Sequence, residues 1–119
     1  MITPKLRDAY SDDFKVREWE PAESATINFW LVLEIGPDDE DGTEYFRVRV
    51  AEQGAFVDDG AAVMRATVLV ERERYSFETI LAAIEKVIEG CGRASWSETA
   101  VALSRYFLWE YEDHKFIQD

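Results

Sequence analysis

The residues able to do chemistry are few in this chain and stand apart from one another. The one histidine, His114, sits among Glu112, Asp113 and Lys115, with no second histidine or cysteine pair nearby, whereas a zinc site draws about four ligands from such groups. The one cysteine, Cys91, has no partner for an intrachain disulfide and supplies no metal cluster, which points to a buried thiol closing a helix in a protein of a reducing compartment. Ser76, Ser95 and Ser97 stand where helix caps are wanted, and nothing like G-x-S-x-G surrounds them. Neither G-x-G-x-x-G nor G-x-x-x-x-G-K-[ST] occurs, and Gly90-Cys91-Gly92 ends a helix instead of opening one. The nearest approach to acid–base chemistry is the carboxylate pairs Glu18/Glu20 and Glu110/Glu112. Such a pair needs burial in a cleft to separate its pKa values, and these alternate with aromatics on apparent surface edges. The sequence therefore predicts no enzyme and no cofactor, with a small carboxylate-using hydrolase as one alternative and a non-catalytic regulatory or structural binding protein as another.

Acids gather in one loop. Between Gly36 and Glu44 stand Asp38, Asp39, Glu40, Asp41 and Glu44, with Gly42 in the turn. An EF-hand calcium loop requires an acid five positions before its glycine and a bidentate glutamate six after. Pro37 and Val48 occupy those places, so the loop is not of that type. A second acidic pair, Asp58 and Asp59, lies in a loop from Gln53 to Ala62. Over the whole chain 25 acids oppose 13 bases, a formal net charge of −12. Such a surface repels nucleic-acid phosphates and anionic lipids and draws basic partners from a distance. Four tryptophans, Trp19, Trp30, Trp96 and Trp109, and five tyrosines are of the types that anchor protein interfaces.

The elements that must position these residues follow from periodicity. Phe29, Leu31, Leu33 and Ile35 alternate on one face of a strand that ends at a Gly36-Pro37 break, and Phe46, Val48 and Val50 on one face of a second. An antiparallel hairpin setting Leu33 opposite Phe46 and Leu31 opposite Val48 satisfies both patterns, and a one-residue slip would turn one apolar set toward water. The same register places Trp30 near Arg49 and Val32 near Arg47 on the opposite face. A weak alternation over residues 14–19 predicts another strand, and Met64 to Glu71 predicts a further one. The period then becomes 3.6: Phe77, Ile80, Leu81, Ile84, Val87 and Ile88 define a helix near 76–90, capped by Ser76 and stopped by Gly90 and Gly92. Ser95 and Glu98 have capping-box spacing and open a second helix near 96–108 with Trp96, Thr99, Ala100, Leu103 and Phe107 inward; residues 108–115 read as either helix or strand. The expected fold is α+β, an antiparallel sheet of about four strands, strands first, under two C-terminal helices on one face. At 119 residues the chain fits one domain, residues 1–119. No apolar run approaches a membrane span and no secretory leader is visible, so a cytoplasmic protein is expected.

The order of marks now reads Phe29, Ile35-Gly36-Pro37, an acidic loop, Phe46-Arg47-Val48-Arg49-Val50, Tyr75-Ser76-Phe77, Trp96, Leu103-Ser104-Arg105 and Trp109-Glu110-Tyr111-Glu112-Asp113. In this the chain resembles the immunity protein 8 family of bacterial polymorphic toxin systems, from about Trp19 onward. The resemblance implies a small protein that binds and neutralises a cognate toxin domain. Many such toxin domains are basic nucleases, so an acidic partner suits the task. The residues expected to meet the toxin are Asp38, Asp39, Glu40, Asp41 and Glu44, helped by Asp58 and Asp59, with Trp30 as an aromatic anchor.

Overall fold

The structure is a computed structural model and describes residues 1–22, 26–52 and 61–110. Its centre is the hairpin of β2 (Asn28–Pro37) and β3 (Glu44–Glu52). They pair antiparallel with Leu31 opposite Val48 and Leu33 opposite Phe46, the register that periodicity requires. Leu31, Leu33, Ile35, Phe46, Val48 and Val50 are all fully buried. Burial of each such side chain is worth about 1.5–3 kcal/mol, and only this register buries both sets together. Phe29 is half-buried and ends the row in an aromatic cluster, its ring edge-on to Phe14 and Trp19 at centroid distances of 5.1 and 5.3 Å.

Around the hairpin the sheet has six strands among the described residues, more than the expected four. Their order is β1 (Pro4–Tyr10), β2, β3, β5 (Thr67–Val70), β4 (Ala61–Met64), with β6 (Leu108–Trp109) also on β3. The outer side of β3 is thus shared: Phe46 and Arg47 take β6 antiparallel, while Arg49 to Glu52 take β5 parallel. The sheet is therefore mostly antiparallel, with one parallel pair, and β6 comes after the helices instead of before them.

Other local expectations are corrected. The strand predicted over residues 14–19 is a 3-10 turn at Val16–Glu18, because Val16, Phe14 and Trp19 reach the core from an irregular segment. The N-terminal strand is β1, opened by Pro4 at the sheet edge, where no ladder donor is missed. β2 does not stop before Gly36-Pro37 but pairs through both with Lys5 and Pro4. The strand predicted from Met64 to Glu71 is present as the shorter β5, the second arm of a hairpin whose first arm is β4. Arg65 and Ala66 turn it with φ of 46° and 63°, both positive, as a two-residue loop matching the twist of its strands demands.

Helix α1 (Phe77–Glu89) carries the expected stripe, with Phe77, Ile80, Ile84 and Ile88 buried and Ser76 Oγ accepting from Thr79 N–H at 3.0 Å. Helix α2 (Trp96–Leu103) begins as its capping spacing requires, Ser95 Oγ accepting from Glu98 N–H at 3.2 Å. It is shorter than expected, because the chain turns over Ser104–Tyr106 to bring Phe107 and β6 back to Phe46. Phe77, Ile80, Ile84 and Ile88 of α1 and Ala102 and Leu103 of α2 join the inner-face residues of β2 and β3 in one cluster. No helix among the described residues is long and apolar enough to cross a membrane.

Glu52 locks the end of β3 to the start of β2. Its carboxylate accepts from Ile27 N–H at 3.1 Å and from Arg72 at 3.1 Å. The Ile27 amide, and after it the Arg72 guanidinium, hold this carboxyl below its ordinary value of 4.5. A depressed folded-state pKa makes the ionised form stabilising above about pH 4.5, and that contribution is lost as pH falls through the folded value. Glu52→Gln is expected to lower the urea midpoint at pH 7 and to lose less stability than the parent between pH 7 and pH 3, as urea titrations at the two pH values measure.

Candidate functional site

Two surfaces hold the residues expected to bind a partner, and the fold separates them. The acidic loop, residues 38–43, closes β2 onto β3. Its scaffold is Arg7, at the point where β1 shifts register against β2, whose guanidinium donates to the carbonyl oxygens of Pro37 and Glu40 at 2.6 Å each. Asp38 N–H donates to Thr3 O at 2.8 Å. The loop is therefore shaped by backbone bonds, and its carboxylates project outward: Asp38, Asp39, Glu40 and Asp41 are all exposed. Lys5 stands 4.0 Å from Asp38, an exposed pair of little energetic weight. Glu44 is employed internally, its Oε2 accepting from Trp109 Nε1 at 3.2 Å, which sets the indole stacked on Phe46. Asp58 and Asp59 lie outside the described residues.

Trp30 is elsewhere. It points away from the helices, 46% exposed, and lies seven residues before Pro37 on β2, roughly 23 Å along an extended strand. The strand pairings set it in a row on the sheet's open face: Trp30 on β2, Arg49 on β3, Thr67 on β5 and Met64 on β4. The next row is Tyr10, Val32, Arg47 and Leu108, and a third is Asp8, Glu34 and Tyr45. Tyr45, Met64 and Leu108 are exposed large side chains like Trp30. Sequence reasoning placed Trp30, Val32, Arg47 and Arg49 on this face but missed Tyr45, Met64 and Leu108, because the last two join it only through the tight hairpin at Arg65-Ala66 and through β6. The signal available for Tyr45 was its alternation with buried Phe46.

The chemistry of the rest is structural. Cys91 is buried, its thiol donating to Val87 O at 3.3 Å, and burial pushes its pKa up, away from the reactive thiolate. Thr99, also buried, accepts from Arg93 N–H and donates to Ser95 O. Glu18 is exposed behind the Val16–Glu18 turn and Glu110 is exposed after β6; Glu112 and His114 lie outside the described residues. No group of three or more metal-ligating side chains is found among the described residues.

The family model described as Immunity protein 8 matches residues 4–114. The chain belongs to the Immunity protein 8 family. No curated protein and no solved structure matches it. Membership implies an immunity protein directed against a toxin.

The loop's shape rests on close approach at Gly36. A Cβ there would meet the carbonyl oxygen of Gly42 and lie 2.6 Å from Arg7 Nε. Gly36→Ala is therefore expected to cost about 1–3 kcal/mol, the usual size of an overpacking penalty, and to speed hydrogen exchange of the Asp38 amide. Urea unfolding and exchange mass spectrometry read the two effects.

Proposed function

We propose that this protein neutralises a cognate, basic toxin domain by binding it, without chemistry of its own, and that the whole chain, residues 1–119, acts as one domain in the cytoplasm. The observation that carries the reading is family membership over residues 4–114 joined to a net charge of −12. Charge of that size accelerates encounter with a basic partner and disfavours nucleic acid and membrane as competing ligands. A toxin that is a basic nuclease is the partner class that fits best.

Within this reading the acidic loop, Asp38 to Glu44, steers the toxin, helped by Asp58 and Asp59, and Trp30 anchors it. The separation of loop and indole, roughly 23 Å along the strand, does not divide the interface, because an ordinary interface of roughly 800 Å² a side is about 30 Å across. Carboxylates exposed at the sheet's end cost little to present, while the lifetime of a complex depends on a few desolvated contacts. Glu44 holds Trp109 in place, so its part in binding is indirect.

The loop owes its form to backbone carbonyls held by Arg7, so its side-chain charges can be removed without collapsing it. The combined Asp38→Asn, Asp39→Asn, Glu40→Gln, Asp41→Asn variant is expected to keep its urea midpoint while associating more slowly with the toxin and showing a flatter dependence on salt. Stopped-flow association between about 0.02 and 0.5 M salt, conditions that shorten the screening length severalfold, measures this. Wild-type association in low salt would reduce the loop to a solvated turn.

A further inference from the structure

The open face of the sheet carries more interface chemistry than an acidic, steering surface requires. Its two central arginines, Arg47 and Arg49, are exposed, and neither has a carboxylate within ion-pair distance among the described residues. Arg49 Nε donates to the neutral Asn28 Oδ1 at 2.7 Å. Among the described strand residues the acids that share the face, Asp8 and Glu34, lie in the row of Tyr45 and not in the rows of Arg47 and Arg49. Burial, and after it the neighbouring Glu34, push the Tyr10 hydroxyl above its ordinary pKa, and Asp8 stands 3.9 Å from Arg17. Arg65 adds a third cation at the hairpin turn beside Met64. The middle of this face is thus locally positive on a chain of net charge −12, and it is flanked by Trp30, Tyr45 and Leu108, all exposed. Tryptophan, tyrosine and arginine are the residue types in which interface binding energy concentrates.

We infer that the open face formed by Trp30, Tyr45, Arg47 and Arg49 is the surface that holds the toxin once it has docked, and that it takes a patch of the toxin carrying carboxylates beside apolar side chains. The inference rests on the immunity reading and deepens it. An overall basic toxin approaches along the field of the acidic loop, while its contacting patch on this face bears the opposite local charge. Exposed arginines paired with the patch's carboxylates gain bidentate, charge-assisted bonds, and the aromatic side chains around them exclude water from those bonds.

The experiment uses the full chain and, as probe, the catalytically inactivated C-terminal domain of the toxin gene found adjacent to its own. Dissociation rates are measured for wild type and for Trp30→Ala, Tyr45→Ala, Arg47→Ala and Arg47→Glu, with Arg105→Glu on the exposed turn after α2 as a control. The four positions are exposed, so thermal melts are expected to stay near wild type. Trp30→Ala and Arg47→Ala should each raise the dissociation rate about tenfold or more, and Arg47→Glu should raise it further, since a carboxylate would then face carboxylates. Association rates should change by less than about threefold. The inference is overturned if these variants dissociate like wild type, if Arg47→Glu binds more tightly than Arg47→Ala, or if sedimentation shows that the face is buried in a dimer of this chain that Arg47→Glu dissociates. Binding by wild type with none of these effects would sink this assignment alone. Absence of any binding by wild type would sink the immunity reading with it.

Discussion

The pairing of β2 with β3 is the constraint on which the other surfaces depend. With Leu31 set against Val48 and Leu33 against Phe46, every inward position from Phe29 to Ile35 and from Phe46 to Val50 is apolar, and every outward position is fixed at the same stroke. A shift of β3 by one residue would bury Arg47 and Arg49 and expose Phe46, and a shift of β2 would bury Trp30 and expose Leu31 and Leu33, so the composition of the core and that of the opposite face are two consequences of one register. The same register aims Phe46 at Phe107 and Trp109, with ring centroids 6.4 and 6.1 Å away. That contact draws the chain after α2 back onto β3 and places Leu108 on the open face. Glu44, through Trp109 Nε1, couples the acidic loop's end to the same contact.

The parts of this structure legible in the sequence are those set by local, repeated signals. Period two revealed the β2 and β3 faces, and period 3.6 with Ser76 and Ser95 revealed where each helix begins. The parts that were not legible depend on partners distant in the chain. β1 shows no clean alternation because its register shifts between Leu6 and Asp8, while residues 14–19 alternate weakly yet pack as a turn through Phe14, Val16 and Trp19. The hairpin at Arg65-Ala66 lacks the Asn or Gly that usually marks positive φ, so one strand was read where there are two short ones. Parallel pairing of β5 with β3 is a non-local choice with no sequence pattern of its own. For the candidate site, the acidic loop was visible as composition and Trp30 as an outward residue. Their separation was not, because proximity in sequence says little about distance along an extended strand.

The distribution of charge separates what governs encounter from what governs retention in the proposed complex. Long-range attraction depends on the sum of the chain's charges, which is strongly negative, and falls off beyond about 8–10 Å at ordinary ionic strength. Retention depends on the few square nanometres in contact, and on the assignment proposed above these centre on Arg47, Arg49 and the neighbouring aromatics. The proposed task, capture of a basic toxin, has use for both.

Whether neutralisation is binding or chemistry is the central question, and the stoichiometry of inhibition answers it most directly. A fixed amount of the active toxin domain, titrated with the full chain, should lose activity linearly to zero at one equivalent, and the endpoint should not change with incubation time. Complete inactivation by a small fraction of an equivalent, deepening with time, would contradict the account by showing turnover.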